Sequence, residues 1–290
     1  MDKNKLLCMG YGYTARFFSQ KLKSQGWKIA GTTRSREKAK QLREQDVEAI
    51  IWNGGAFDLQ RLEDVSAVLI STPPDENGCP AFDALAASLA TNANTLNWIG
   101  YLSTNGVYGD HDGAWVDEKS ALKATTARAR RRIKSENDWR LLAEKHSLPL
   151  TIFRLPGIYG PGRSAINSVR AGKAKRIYKK GQVFSRMHVE DIAAALDASL
   201  TGPRAHDLYN LSDNEPAPPQ DIVEYACKLL GVAPPPLVLL EEAHISEMAK
   251  SFYADNKRVS NRRIKDALAF TLTYPTYKEG LKAILNQENQ

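Results

Sequence analysis

Gly10, Gly12 and Ala15 form the pattern G-x-G-x-x-A near the N-terminus. The pattern follows an apolar stretch and precedes an amphipathic one, which is the strand–turn–helix context that this motif requires. Gly10 permits a tight turn, the missing Cβ of Gly12 lets a pyrophosphate approach the backbone, and Ala15 allows close packing of helix on strand. The N-terminus of the helix attracts the anion. The sequence therefore predicts a dinucleotide-binding turn made of Gly10, Tyr11, Gly12, Tyr13, Thr14 and Ala15.

The end of the second predicted strand carries no acidic residue. Its sequence is Gly31-Thr32-Thr33-Arg34-Ser35, whereas an Asp or Glu there usually hydrogen-bonds the ribose 2′-hydroxyl of NAD. Arg34 can instead form charge-assisted hydrogen bonds with the 2′-phosphate of NADP, and Thr33 adds a hydroxyl. We therefore predict NADP as the cofactor, with NAD possible. In the alternative interpretation, Arg34 is a solvated cation at the start of a helix.

Further cofactor contacts are predicted where later strands end. Asn53 follows the third strand and is expected near an adenine, while Ser71, Thr72 and Pro73 follow the fourth strand. Pro156 follows a strand that ends at residue 155 and is expected beside the nicotinamide. Ligands of open α/β sheets bind at the carboxyl ends of the strands, which motivates all of these assignments.

The first half of the chain alternates short apolar runs with amphipathic segments, which is typical of a parallel sheet covered by helices. We predict an α/β fold with a Rossmann-type, doubly wound parallel sheet. The predicted strands are Leu6–Gly10, Trp27–Thr33, Val47–Trp52, Ala67–Thr72, Trp98–Ser103 and Leu150–Leu155. The predicted helices are Thr14–Gln25, Arg36–Gln45, Ala81–Asn94 and Thr126–His146.

The regular alternation stops after residue 160. A helix at Val189–Leu200 and a strand at Asp207–Leu211 are expected to return to the sheet, and helices are expected near Gln220–Leu230 and Tyr277–Leu285. We therefore predict an NAD(P)-binding domain at 1–160, to which 188–211 returns. Residues 161–187 and 212–290 would form a smaller substrate-binding lobe.

Positive charge is concentrated in the middle of the chain. Between residues 123 and 186 there are 17 lysines and arginines against three acids, so this stretch carries a net charge of +14 within a chain of net charge +7. Such a field favours an anionic partner, and a phosphorylated cofactor or a small anionic substrate fits it. A nucleic acid is the less favoured partner, because the stretch lacks the interleaved aromatic residues of a stacking surface. Alternatively, much of the charge lies on a solvated helix face.

Other classes of protein are disfavoured by composition. No apolar run is long enough to span a bilayer, and the first residues, Met1–Lys5, do not open a secretory signal. Cys8, Cys79 and Cys227 have neither disulfide-like nor metal-ligand spacing, so no metal site is predicted. A cytoplasmic location is the expectation, and the oligomeric state stays open.

Several segments together resemble the extended branch of the short-chain dehydrogenase/reductase superfamily, the group that contains nucleotide-sugar epimerases and dehydratases. They are the glycine turn, Leu102-Ser103-Thr104-Asn105-Gly106-Val107-Tyr108-Gly109, Arg154-Leu155-Pro156-Gly157-Ile158-Tyr159-Gly160-Pro161-Gly162, Met187-His188-Val189-Glu190-Asp191-Ile192-Ala193 and Lys257-Arg258-Val259-Ser260-Asn261. The segments occur in the order of the family and cover nearly the whole chain. The resemblance implies the predicted fold, a nicotinamide cofactor and a second lobe that covers a nucleotide-linked substrate.

The resemblance also implies catalytic positions. Thr104, with Ser103 before it, would hydrogen-bond the reacting oxygen of the substrate. The Tyr-x-x-x-Lys pair of the family is replaced, since Arg128 stands at the tyrosine position and Arg132 at the lysine position. A guanidinium stays protonated, so Arg128 can hold an anion or stabilise an oxyanion but cannot cycle a proton. Arg132 could grip the nicotinamide ribose, and the chain resembles an atypical member of the family.

The proton carrier is therefore open among Tyr108, Tyr159 and His111, each of which also has a purely structural interpretation. His188 is expected to bond backbone. Two functions follow from these residues. One is an NAD(P)-dependent oxidoreductase or epimerase/dehydratase-like enzyme for a small anionic or nucleotide-linked sugar or carbonyl substrate. The other is a catalytically inactive NADP-binding sensor or regulatory protein.

Overall fold

The computed structural model describes residues 4–57, 64–202 and 207–288. The chain divides into two compact units. The first unit comprises Met1–Thr104, Ala127–Arg154 and Ile192–Tyr209, and the second comprises Asn105–Thr126, Leu155–Asp191 and Asn210–Gln290.

A seven-stranded sheet with the order β11-β7-β5-β4-β1-β2-β3 is the centre of the first unit. Its strands are β1 (Lys5–Met9), β2 (Lys28–Thr33), β3 (Glu48–Ile51), β4 (Ala67–Ile70), β5 (Trp98–Thr104), β7 (Leu150–Leu155) and β11 (Asp207–Asn210). β1 pairs in parallel with both β2 and β4, so the direction of strand order reverses at β1. In doubly wound folds, ligands bind at such a reversal, in a crevice outside the carboxyl ends of the strands. The predicted fold class is confirmed.

Helices with apolar faces cover this sheet. They are α1 (Tyr13–Lys23), α2 (Arg36–Glu44), α3 (Pro80–Thr91), α4 (Ala127–His146) and most of α6 (Val189–Thr201), with a short 3₁₀ turn at Ala93–Thr95. The inner strands are buried on both faces: β4 is buried at every position, as its continuous apolar sequence predicts. Trp139 of α4 packs edge-on against Phe82 of α3, at 4.9 Å between ring centroids. These contacts make the sheet a rigid support for the loops at its carboxyl edge.

Pairs of short strands hold the second unit together. Its strands are β6 (Trp115–Val116), β8 (Gly157–Tyr159), β9 (Arg176–Tyr178), β10 (Arg186–His188), β12 (Leu237–Leu239) and β13 (Arg258–Val259), paired as β8 with β10, β9 with β12 and β6 with β13. Its helices are α5 (Ala165–Arg170), α7 (Pro219–Leu230), α8 (Glu247–Tyr253), α9 (Arg262–Leu268) and α10 (Tyr277–Glu288), with a 3₁₀ turn at Asn105–Tyr108. α5, α7 and α10 share an apolar core that includes Ile166, Ala226 and Ile284.

The division of the chain differs from the sequence prediction at four places. The sequence predicts a first domain at 1–160 with 188–211, whereas the structure assigns 105–126, 155–160, 188–191 and 210–211 to the second unit. The physical reason is strand pairing over long separations. Trp115 and Val116 pair with Arg258 and Val259, and residues 157–159 pair with 186–188. Such pairs of two or three residues leave no periodic signal in the sequence.

Candidate functional site

The turn between β1 and α1 has the geometry that its glycines predict. Gly10 has a φ of +89°, which a residue with a side chain rarely adopts. Gly12 precedes the first residue of α1, and no atom lies within 4 Å of the position that a Cβ there would occupy. Gly10 therefore makes the turn, while Gly12 leaves open space in front of the helix N-terminus, where a phosphate finds backbone donors.

Three hydroxyl side chains from neighbouring strands hold this turn in place. The Gly10 N–H donates to Thr32 Oγ1 at 2.7 Å, and Thr72 Oγ1 donates to the Met9 carbonyl at 2.9 Å. Ser71 Oγ donates to the carbonyl of Gly10. The hydroxyls of Ser71 and Thr72 thus order the turn itself, which adds a structural role to the cofactor contact predicted for them.

A cavity of about 790 Å³ opens in front of the turn. Nine residues predicted as cofactor contacts line it: Gly10, Tyr11, Gly12, Thr33, Arg34, Asn53, Ser71, Thr72 and Pro73. The other lining residues are Thr32, Ser35, Lys38, Trp52, Gly54, Gly55, Pro74, Asp75, Asn77, Pro80 and Asp83. The volume is in the range of pockets that enclose small organic ligands.

Four predicted contact residues do not line this cavity. Thr14 and Ala15 are buried on the inner face of α1, and Tyr13 stacks edge-on against Phe17 at 5.1 Å between ring centroids. Their side chains support the helix, so any contact they make with a ligand is through the backbone. Pro156 is a buried residue of the second unit.

The corner of the cavity beside β2 is positively charged. Arg34 and Lys38 both line it, and Lys38 Nζ donates to the Tyr11 carbonyl at 2.6 Å. Ser35 begins α2 as its cap, because its hydroxyl accepts from the Lys38 N–H at 3.2 Å. Thr33 Oγ1 in turn accepts from the Ser35 N–H at 3.3 Å. Hydroxyl groups and two cations therefore surround the place where a ribose 2′-substituent would lie.

Lys38 is the functional candidate that the motif analysis missed. It lies in the first turn of α2, four residues after Arg34, which directly precedes the cap residue Ser35. A search for a second cation at this spacing would have found it.

The residues of the cavity fit a dinucleotide. The space in front of Gly12 is open, and the corner beside β2 carries the positive charges of Arg34 and Lys38. Trp52 and Asn53 at the end of β3 provide an aromatic edge and an amide, with the indole N–H donating to the Gly55 carbonyl at 3.3 Å. Asp75 and Asp83 are the acids of the cavity, and both follow β4.

At the end of β5, Ser103 hydrogen-bonds to a buried ion pair formed by Glu136 and Arg154. Its hydroxyl donates to Glu136 Oε1 of α4, and Arg154 Nη2 donates to Glu136 Oε2 at 2.7 Å. All three side chains are buried. The sequence predicts that Ser103 orients a substrate oxygen. In this geometry its hydroxyl already donates its hydrogen bond to Glu136, within the first unit. Thr104, the last residue of β5, is partly exposed.

Arg128 and Arg132, the two arginines that the sequence predicts at catalytic positions, differ in their surroundings. Arg132 is half-buried, and its Nη1 donates to the Leu102 carbonyl at 2.9 Å and to the Tyr101 hydroxyl at 3.1 Å. It thereby ties α4 to β5. Burial raises the pKa of Tyr101, whose hydroxyl donates to Ser135 Oγ at 2.9 Å. Arg128, in the first turn of α4, is exposed.

The remaining candidates for the acid/base lie in the second unit. Tyr108 is fully buried, and its hydroxyl donates to Asn210 Oδ1 at 2.7 Å. His111 Nε2 lies 3.1 Å from the Ala121 carbonyl. Burial raises the pKa of Tyr159 well above its usual range. His188 Nδ1 accepts from the Glu190 N–H at 3.3 Å, which confirms the predicted backbone bond, and burial lowers the pKa of His188 to about 4.

Several cations of the basic stretch form ion pairs or hydrogen bonds inside the second unit. Arg176 pairs with Glu224 and Arg170 with Glu288, while Lys175 Nζ donates to the His244 carbonyl at 2.6 Å. The arginines of α4 at positions 128, 130, 131 and 140 are exposed.

Over the described ranges, no helix combines the length and apolarity needed to cross a bilayer. The same ranges hold no group of three or more potential metal ligands.

Comparisons with known proteins agree with this architecture. Residues 83–212 match the model of the NAD dependent epimerase/dehydratase family. The chain is 27% identical over 288 residues to protein YeeZ of Escherichia coli (strain K12), which covers 93% of this chain and 96% of YeeZ. A functionally unknown conserved protein from Silicibacter pomeroyi DSS is 46% identical, with a TM-score of 0.92 over 98% of this chain and 99% of that one.

The fold recurs at lower identity as well. The structure of MoeE5 in complex with UDP-glucose and NAD superimposes with a TM-score of 0.80 at 17% identity, covering 99% of this chain and 100% of that one. The resemblance seen in the sequence motifs is thus confirmed by a family model and by the fold. Residues 83–212 are thus similar to the NAD dependent epimerase/dehydratase family, and the chain shares its fold with epimerases and dehydratases whose structures are known.

Proposed function

We propose that the chain binds a nicotinamide dinucleotide in the cavity of the first unit, with NADP preferred over NAD. The observation that carries the proposal is the cavity itself, in which the open space at Gly12 adjoins a corner formed by Arg34 and Lys38. No acid lies at the end of β2 to accept a 2′-hydroxyl or to repel a 2′-phosphate. MoeE5, with the same fold, is a complex with NAD.

When bound, the nicotinamide accepts or donates a hydride. The protein's part is to hold the diphosphate against the backbone N–H groups at the start of α1 and the 2′-phosphate between Arg34, Lys38 and the Ser35 hydroxyl. Arg132 keeps the end of β5 in place through its bond to the Leu102 carbonyl. Thr104 is the residue proposed to orient the reacting oxygen, and Arg128 the residue that holds negative charge.

The proposed reaction is an oxidoreductase or epimerase/dehydratase-type reaction on a small anionic or nucleotide-linked sugar or carbonyl compound, in the cytoplasm. Support for this substrate class comes from the exposed arginines of α4, and from MoeE5, whose structure contains UDP-glucose. A neutral substrate would gain nothing from that field.

A second candidate is a binding protein that responds to NADP without catalysis. It is favoured by the arginine at position 128 and by the buried hydroxyl of Tyr108, which donates to Asn210 at 2.7 Å. Oxidation of NADPH by any carbonyl substrate supports the enzyme. Tight NADPH binding without turnover across a panel of carbonyl compounds supports the sensor.

Calorimetric titration with NADPH, NADP, NADH and NAD tests the cofactor proposal, with Gly12→Asp as the principal variant. A carboxylate at position 12 enters open space, so the fold is expected to persist while the diphosphate is repelled. Micromolar binding of NADPH by the wild type and its loss in Gly12→Asp are expected. Absence of binding by all four dinucleotides in a folded wild type contradicts the proposal.

A further inference from the structure

A second cavity, of about 600 Å³, lies within the second unit. Its lining comes from β6 and the turn after it, from the loop after β11 and from the start of α9: Trp115, Val116, Asp117, Ser120, Asp213, Asn214, Ser260, Asn261, Arg262 and Lys265. None of these residues belongs to the dinucleotide cavity or to the proposed catalytic positions.

Trp115 gives this cavity an aromatic wall. It lies in β6, where its backbone pairs with Arg258 of β13, yet 60% of its side chain is exposed. The other four tryptophans of the chain are less exposed. A large exposed indole beside a cavity offers a flat apolar face to a ligand, which an exposed polar residue would not.

Asp213 supplies an acceptor that the described residues leave unused. The side chain is 2% exposed and lines the cavity. Its Oδ1 accepts from the Glu215 N–H at 3.1 Å, whereas its Oδ2 has no hydrogen-bond partner among the described residues. A buried carboxylate oxygen without a partner is costly, and a bound hydroxyl group would satisfy it.

The remaining polar groups form an ordered rim. Asn261 Nδ2 donates to the Ser212 carbonyl at 2.8 Å and to Asn214 Oδ1 at 2.9 Å. Asp117 Oδ1 accepts from the Ser120 hydroxyl at 2.9 Å. These side chains are held by one another before a ligand arrives, which lowers the entropic cost of binding.

The charge of the cavity lining distinguishes between charged and neutral ligands. Two acids and two bases line the cavity, namely Asp117, Asp213, Arg262 and Lys265, so neither sign of charge dominates the lining. An apolar aromatic face, an unused carboxylate oxygen and neutral amides together match a ring that is apolar on its faces and carries hydroxyl groups around its edge.

We propose that this cavity is a binding site for a neutral polyhydroxy ring, a pyranose monosaccharide, with Trp115 packed on the face of the ring and the carboxyl group of Asp213 hydrogen-bonded to its hydroxyls. The inference does not depend on dinucleotide binding, since all of the lining residues belong to the second unit.

Saturation-transfer NMR on the full chain, with glucose, galactose, mannose and N-acetylglucosamine at millimolar concentration as probes, tests the site. At least one of them is expected to bind saturably. Trp115→Ala is expected to weaken that binding by about tenfold or more, and Asp213→Asn by about fivefold. Because the Trp115 side chain is largely exposed, its loss should leave the fold intact.

Controls make the result specific. Phe252→Ala removes an exposed aromatic of the second unit that does not line the cavity, and is expected to bind the sugar as the wild type does. Gly12→Asp is expected to lose dinucleotide and keep the sugar. The proposal is overturned if none of the four sugars binds, if only charged sugars such as glucuronate or glucose 6-phosphate bind, or if folded Trp115→Ala binds like the wild type.

Discussion

Removal of the two cations at the start of α2 should change the cofactor preference of the chain rather than its capacity to bind a dinucleotide. Arg34 and Lys38 line the corner of the cavity beside β2, while the space for the diphosphate lies at Gly12. The 2′-phosphate is the only group that distinguishes NADPH from NADH. Arg34→Ala and Lys38→Ala should therefore weaken NADPH binding and leave NADH binding nearly unchanged.

The size of the effect follows from the exposure of the two side chains. A hydrogen bond to a charged group contributes about 1.5 to 3 kcal/mol when it is shielded from water, and exposed ion pairs contribute about 1 kcal/mol or less. Both residues are exposed in the absence of a ligand. About 1 kcal/mol for each corresponds to a loss of roughly fivefold per variant, and the double variant should lose about 25-fold.

Fluorescence or calorimetric titration measures this preference, and Arg36→Ala and Lys40→Ala are the matched controls. Arg36 and Lys40 are exposed cations of the same helix that do not line the cavity. Higher ionic strength should reduce the NADPH preference of the wild type and leave that of the double variant unchanged, because exposed charges are screened by salt. Equal affinity of the wild type for NADH and NADPH, or equal losses for both cofactors in Arg34→Ala, would refute the reasoning.

Three further predictions concern stability. Glu136→Gln should lower the free energy of unfolding in urea by about 3 to 5 kcal/mol, because it leaves the guanidinium of Arg154 buried without its carboxylate; a loss below about 1 kcal/mol would contradict a buried pair. Gly31→Ala should cost about 1 to 3 kcal/mol, because the new Cβ would lie 2.5 Å from Cδ2 of Tyr11, and unchanged thermal unfolding would show that the ring is not packed there. Burial raises the pKa of Asp213 from 3.8 to about 7, so the folded state holds a proton that the unfolded chain loses between these values. The wild type should therefore lose stability relative to Asp213→Asn as pH rises from about 4 to about 7, by at most ~4 kcal/mol, and parallel pH profiles would exclude the shift.

The long, regular elements of the first unit could be predicted from the sequence because each has its own periodic signal. Leu150–Leu155 has the predicted bounds, and the helix predicted from residue 126 begins at Ala127. The glycine turn was equally accessible, since Gly10 and Gly12 mark a local backbone geometry. The secondary structure of such a segment can be predicted because its periodic signal lies in the segment's own residues.

Contacts between distant segments were not accessible in this way. The pairing of β6 with β13 joins residues more than a hundred positions apart, and neither strand exceeds two residues. Ser103 looked like a substrate contact because of its position at the end of β5, but its hydroxyl donates to Glu136, which a strand motif does not reveal. Lys38 falls between these cases, because its spacing from Arg34 was visible and only its bond to the Tyr11 carbonyl was not.

The proposed catalytic position of Arg128 narrows the chemistry that can be proposed for this chain. A guanidinium stays protonated at neutral pH, so it neither gives up nor regains a proton as a tyrosine does. The hydroxyl of Ser103 donates to Glu136, and that of Tyr108 donates to Asn210. Each of these two hydroxyls thus donates its hydrogen bond to a residue of its own unit. Reduction of a bound carbonyl would then take its proton from water or from one of the remaining candidates, Tyr159 and His111, while the arginine stabilises the negative charge on the oxygen. The exposed arginines of α4 attract an anion, and for this reason an acidic sugar or keto acid is a better first substrate to assay than a neutral sugar.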